Sequence, residues 1–510
     1  MSVQPSPGTD KVLAALEKGG FELGPERSLR RTMLDTFDGR LHGAGLRLEL
    51  REAPGRELTL SGGGPAAAHV AVAAVPRFAS DLPVGPVRLR LSPVLDVRAL
   101  LPTVSATTRQ RVAVRRDKLG KALVSVTVHD GLAIAGSTSS ELVGLVVEVD
   151  ELAGYAKAAE SALSLLATVG LQALDTDLMG FVAAAAGVDL RGHTASPTVV
   201  LDRNEPSLEA FRRVLANLAG EIDANWEGTV DDVDSEFLHD LRVAVRRTRS
   251  VLAQGKGVLP VETRNRFRAG FGWLGGATGP ARDLDVYVIE WDNYVGPLGA
   301  DVATALGPLV RHVAQRRRDE HAALSALLRT ARYHELMAAW HGWLASPVAE
   351  PDSRADAVRP IGKVAARRIT KANDQLVARG RRIGPDTPAE ELHELRKDAK
   401  KLRYLLECFG ALLPAGERKS FVQRLKALQD NLGEHQDTEV HAVELRAMSH
   451  DLHDAGDVGP DTLVAIGQLA GEFERRRAAA RAEFAEHFAA YDTVATRRTF
   501  EALTESATRG

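Results

Sequence analysis

One pattern of charge is written twice in this chain. Residues 239–249 read HDLRVAVRRTR, and residues 393–403 read HELRKDAKKLR. In each copy a histidine is followed by cations at +3, +7 and +10: His239, Arg242, Arg246 and Arg249, then His393, Arg396, Lys400 and Arg403. Downstream, Gly279 and Asp283 lie 40 and 44 residues after His239, and Gly433 and Asp437 lie 40 and 44 residues after His393. Upstream, Arg213 and Arg367 share the same offset of 154. A match held in register from Arg213 to Asp283 reads as an internal duplication, so this part of the chain is expected to fold as two halves of one architecture.

The spacing is helical. At about 100° per residue the four positions fall within an arc of about 80°, along some 15 Å of helix. In the first copy Leu241, Val245 and Leu252 supply the apolar edge. Arg247, Lys397 and Lys401 widen the cationic stripes. Like charges at i,i+3 and i,i+4 cost an isolated helix roughly 0.2–0.5 kcal/mol per pair. A solvated basic face is the ordinary explanation for one such helix, but its repetition argues that the pattern itself is used. Arginine offers planar forks for phosphate oxygens and lysine a compact charge, so a polyanion is the expected ligand. The histidines, flanked by cations, are expected to titrate low in an empty site.

Net charge is only −3, so a basic site must arise from sorting charges by position rather than from a global excess. Cys408 is the single cysteine, which excludes an intramolecular disulfide and a cysteine-based metal site. The opening MSVQPSPGTD has no signal-peptide pattern, and no run of about 18 uncharged apolar residues suggests a membrane span. The cytoplasm is the expected compartment, with no membrane partner.

Two periods divide the chain. Up to about residue 150 the alternation is strand-like: Leu46–Arg51, Val87–Leu91, Arg109–Arg115, Leu123–Val128 and Val146–Asp150, with turns expected at Pro54-Gly55, Gly62–Pro65 and Asp130-Gly131. Residues 154–186 then turn helical and alanine-rich. Residues 188–206 read as a linker, and from Ser207 onward the pattern is almost wholly helical, with helices of about 15–25 residues between Gly/Pro breaks. The expected fold class is α+β. It comprises an antiparallel β tunnel or barrel-like domain with helices (1–187) and an all-α domain of two pseudo-symmetric bundles (207–495, halves about 207–345 and 355–490).

The segments Arg282-Asp283-Leu284-Asp285 and Glu434-His435-Gln436-Asp437 look structural, placed to cap a helix or hold an arginine. Their carboxylates are of metal-ligand type, but no spacing fixes a geometry, and no metal site is expected there. Arg316–Arg318 and Arg475–Arg477 form another matched pair, read either as an extension of the basic surface or as solvated helix ends.

The doubled motif, with DLD and LGEHQD downstream, resembles the CHAD family of histidine-bearing α-helical domains over about residues 200–495. The resemblance implies two bundles facing each other across a basic cleft, inorganic polyphosphate as the ligand, and binding without catalysis. Carried over by position, His239, Arg242, Arg246, Arg249, His393, Arg396, Lys400 and Arg403 would line that cleft. Arg247, Lys397, Lys401, Arg213 and Arg367 are further binding candidates.

The β region resembles the CYTH fold of triphosphate tunnel metalloenzymes, through Asp35–Asp38, Leu46–Arg51, Leu58–Leu60, Arg109–Arg111 and Val147–Asp150. The family's E-x-E-x-K opening is replaced by Ser2–Pro7, its expected lysine by Ser61, and an expected arginine by Glu49. Only Glu148 and Asp150 remain for Mg²⁺ or Mn²⁺, and Arg47, Arg51, Arg109 and Arg111 for phosphate. The expectation is therefore a non-enzymatic polyphosphate binder without cofactor, associated with polyphosphate granules. Mg²⁺ or Mn²⁺ enters only under the alternative, a metal-dependent triphosphatase or polyphosphatase built on the N-terminal domain. A second alternative, nucleic-acid binding, is disfavoured because the basic stripes have little aromatic interleaving.

Overall fold

The computed structural model describes residues 8–63, 67–134, 145–152, 154–193, 199–347, 354–456 and 458–508. The opening Ser2–Pro7, the Gly64-Pro65 end of one expected turn and part of the expected linker (194–198) lie outside the described residues. Two compact units divide at Thr194/Ala195.

The first unit is built on an eight-stranded antiparallel sheet. Its strands are β1 (Glu22–Leu23), β2 (Arg27–Asp35), β3 (Leu46–Ala53), β4 (Gly55–Gly62), β5 (Ala68–Ala71), β6 (Leu101–Arg116), β7 (Ala122–Ile134) and β8 (Val146–Glu151). They run in the order β5-β4-β3-β2-β6-β7-β8, with β1 on β6, and curl into a half-barrel. Helices α1 (Thr9–Lys18), α2 (Arg40–Gly43), α3 (Pro86–Leu95), α4 (Ala156–Thr168) and α5 (Leu178–Ala185) pack against it. Alternation explains β3: Leu46, Leu48 and Leu50 are buried in a cluster shared with Leu58 and Leu60, while Arg47, Glu49 and Arg51 take the opposite face.

Two sequence expectations fail here for clear reasons. Val87–Leu91 alternates like a strand, yet it lies in α3. Pro86 occupies the first helical turn, and Val87, Leu91 and Leu95 are buried at i, i+4 and i+8, with Leu89 exposed. Asp130-Gly131 is an irregularity inside β7 rather than a turn. The β6–β7 register shifts between Thr107 and Arg109, and Gly131 adopts φ +61°.

The second unit is helical. Its first half contains α6 (Ser207–Val230), α7 (Ser235–Gln254), α8 (Val261–Ala277), α9 (Gly279–Ile289), α10 (Trp291–Val295), α11 (Ala300–Ala305), α12 (Gly307–Leu328) and α13 (Ala331–Ala345). The second contains α14 (Ile361–Gly380), α15 (Ala389–Cys408), α16 (Ala415–Asp454), α17 (Pro460–Tyr491) and α18 (Val494–Thr508). The 40-residue α16 and 32-residue α17 exceed the expected lengths. At 1.5 Å per residue α16 is about 60 Å long, enough for Phe421–Leu432 to enter one core while Ala442–Leu452 enters another.

The starts of α6 and α14 meet directly. Pro206 and Pro360, 154 residues apart, form an isolated antiparallel bridge. The Ser207 amide donates to the Arg359 carbonyl at 2.9 Å, and the Ile361 amide to the Glu205 carbonyl at 3.0 Å. Among the described residues no helix is long and apolar enough to cross a membrane.

Candidate functional site

Helices α7 and α15 carry the repeated motif, and each buries its apolar edge. Leu238, Leu241, Val245 and Leu252 of α7 share one core with Leu392, Leu395, Leu402 and Leu406 of α15. Asp234 caps α7 by accepting from the amides of Glu236 and Phe237 at 2.9 and 3.3 Å. With the leucines fixed inward, the cations face two adjoining cavities that share Arg246.

The first cavity, of 660 Å³, is lined by Arg246, Arg249, Arg268, Lys397, Lys400 and Lys401, with Ser250, Asn265 and Tyr404 as neutral polar groups. No carboxylate lines it among the described residues. Lys397 is paired with Glu394 at 2.7 Å, and Lys401 donates to Gln375 at 2.9 Å. Arg246, Arg249, Arg268 and Lys400 have no ion-pair partner among the described residues, and the buried Nε of Arg246 has no hydrogen-bond acceptor. Burial, then the charges of Arg396 and Arg246, push the Lys400 ammonium down to about 8. An anion placed here would relieve that repulsion.

The second cavity, of 540 Å³, is mixed. His239 and the cations Arg242, Arg246, Arg282, Arg396 and Arg476 meet five carboxylates, those of Asp283, Glu290, Glu434, Asp437 and Glu444. Asp437 accepts from both Nη atoms of Arg396 at 2.9 and 3.2 Å, and Glu434 accepts from Arg476 at 2.6 Å. Arg242 donates to the Thr278 hydroxyl at 3.0 Å. Burial, reinforced by Arg282, pushes His239 down to about 4, so it is neutral near pH 7.

Other candidates are drawn elsewhere. Glu407 of α15 accepts from Arg247 at 2.8 Å and from Arg403 at 2.7 Å. His393 bonds through Nδ1 to Gln436 Oε1 at 2.7 Å. Arg213 pairs with Glu205 at 2.9 Å and Arg367 with Asp356 at 2.5 Å. None of these five lines either cavity. Of the two arginine triplets, Arg317 is tied to Asp232 and Asp285, and Arg476 to Glu434.

Arg268 was not singled out by the sequence. The residue 154 positions later is Val422, so a search for repeated cations passes over it. The acidic segments are legible in the sequence, but which cavity they rim depends on where α9 and α16 pack.

In the first unit the sheet carries many charged side chains, and many of them are paired with one another. Arg31, 4% exposed, donates through Nε to Glu49 at 2.6 Å and through Nη1 to Glu148 at 2.8 Å. His129 Nε2 lies 2.8 Å from Glu148. Burial opposes ionisation of Glu148, but the His129 hydrogen bond and the Arg31 charge outweigh it and bring the carboxyl down to about 2. Arg51 pairs with Glu49, Arg109 with Asp130, Arg111 with Glu26 and Arg47 with Asp177. A Mg²⁺ or Mn²⁺ ion does not fit this set, because the one low-titrating carboxylate already holds an arginine and a divalent ion would have to displace it. Burial, then the neighbouring charge of Glu148, pushes the Asp150 carboxyl upward.

Known proteins match part of the chain. The CHAD domain family model matches residues 213–446. Uncharacterized proteins from two strains of Mycobacterium tuberculosis are 26% identical over 267 residues, covering 51% of this chain and 50% of theirs. The chain therefore spans about half the length of the curated relatives it matches. Two solved structures are similar. The CHAD domain from the plant Ricinus communis is 26% identical, covering 61% of this chain and 98% of that one, with a TM-score of 0.46. PptA from Streptomyces chartreusis is 20% identical, covering 56% and 99%, with a TM-score of 0.43. The curled antiparallel sheet of the first unit is consistent with a CYTH-like tunnel. The doubled histidine–cation helices lie within the matched span, and residues 213–446 of this chain are a CHAD domain.

Proposed function

We propose that the helical unit binds inorganic polyphosphate at the groove between α7 and α15. The observation that carries this reading is the 660 Å³ cavity, rimmed by six cations and, among the described residues, by no carboxylate. Membership of the CHAD family supports a polyphosphate-binding or related role. The meeting of Pro206 with Pro360, 154 residues apart, supports the duplicated reading of the sequence. Polyphosphate presents closely spaced charges, and its release of counterions makes binding fall steeply with salt. With Tyr404 as its single aromatic among the described residues, the cavity offers little base stacking, which favours polyphosphate over RNA.

The protein is read as a binder, and association with polyphosphate granules follows from that role. Titrating the purified chain with long-chain polyphosphate, with RNA as competitor, tests the proposal. Saturable binding is expected, weakened at least tenfold in the double variant Arg246→Glu/Lys400→Glu and little displaced by RNA at equal charge. Binding that survives both charge reversals would remove the assignment of this groove. Metal-dependent phosphate release from triphosphate, lost in Glu148→Gln, would instead establish the enzymatic alternative.

A further inference from the structure

The two cavities differ in chemistry, and α7 runs from one to the other. His239 and Arg242 belong to the mixed cavity, Arg246 to both, and Arg249 and Ser250 to the basic one. From Arg242 to Arg249 is about 10 Å of helix rise. On α15 the same change occurs between Arg396, held by Asp437, and Lys400. Arg268 of α8, exposed and without a counterpart in the second half, adds its charge on the basic side alone. The carboxylates of Asp283, Glu290, Glu434, Asp437 and Glu444 all lie on the other side. A groove made by two similar helices is therefore electrostatically one-ended.

That asymmetry bears on how a linear polyphosphate sits, on the reading that polyphosphate is the ligand. Interior phosphates are fully ionised and have no proton to donate. Threaded through the mixed cavity, they would face five carboxylates at close range. A terminal phosphate differs, because its second ionisation lies near neutrality, about 6 for a phosphate monoester. It alone presents a P–OH that donates to a carboxylate while its other oxygens accept from arginine. We infer that this groove recognises polyphosphate chain ends. Interior phosphates occupy the basic cavity of Arg249, Arg268, Lys397 and Lys400, and the terminal phosphate passes Arg246 to meet Arg242, Arg396 and the carboxylates of Asp283 and Asp437.

The test uses the full chain and linear polyphosphates of two defined lengths. Each is supplied with free ends or with both terminal phosphates capped as alkyl esters. End recognition gives a stoichiometry of no more than two proteins per chain at either length, and at least tenfold weaker binding of capped chains. The Asp283→Asn/Asp437→Asn variant should lose that discrimination and bind capped chains more tightly than the parent. Equal binding of capped and free chains, or a stoichiometry that grows with length, overturns end recognition while leaving polyphosphate binding intact. Failure to bind any of the chains overturns the polyphosphate reading itself.

Discussion

Lys400 is half-buried on α15 with no ion-pair partner among the described residues, and the charge of Asp437 offsets the repulsion of Arg396 and Arg246 only in part. Its ammonium titrates near 8, below the ordinary lysine value of 10.5. Between those values the unfolded chain holds a proton the folded chain has released, so stability rises with pH across the window, and the cost of the charged form is fully present below about 8. Lys400→Met should raise the thermal midpoint at pH 7 by about 2–4 °C, with the gain shrinking toward pH 10. The same variant should weaken polyphosphate binding and lower the slope of log affinity against log salt by about 1. Calorimetry and titration at several salt concentrations measure both effects. Glu148 has the opposite sign. Its folded value near 2 lies below the ordinary 4.5, so its contribution is present above 4.5 and lost as pH falls toward 2. Glu148→Gln leaves buried Arg31 with Glu49 as its remaining counter-charge and should cost about 3 kcal/mol in denaturant unfolding at pH 7.

At the scale of elements, helices that carry like charges hold together through their apolar edges and their close approach. Gly228 of α6 faces the ring of Phe237 on α7, where a Cβ would collide with the aromatic carbons. Gly228→Ala should therefore destabilise the helical unit by about 1–3 kcal/mol through overpacking, read as a lower urea midpoint with an unchanged m-value. Strand and helix assignments from period held where one face is buried, as in β3 and α7. They failed at Val87–Leu91, because five alternating residues fit both a strand and one side of a helix, and the Gly85-Pro86 start decided for the helix. The length of α16 was equally hidden, since Gly433 sits inside the helix rather than ending it.

For the molecule as a whole, each unit has its own buried cores. Val214, Leu241, Leu402 and Phe421 belong to one in the helical unit, while Leu48, Leu60 and Leu91 belong to one in the sheet unit. Residues 195–510 expressed alone should fold cooperatively and bind polyphosphate with the affinity and salt slope of the full chain. Circular dichroism melting and the same titration check this. A loss of affinity beyond tenfold would mean that the sheet unit takes part in binding.

The sequence by itself determined the helical character of the second unit, the repeat at 154, and the cationic stripes on α7 and α15, because side-chain direction along a helix is a local property. It also pointed to a family through those same residues. Only the tertiary structure decided which cations are available. Glu407 takes Arg247 and Arg403, Asp437 takes Arg396, Glu205 takes Arg213 and Asp356 takes Arg367, whereas Arg268 arrives from α8 to join Arg246, Arg249 and Lys400. The physical reason is that the potential in a groove sums over every charge packed around it. Most of those charges come from elements that the spacing of one helix does not specify.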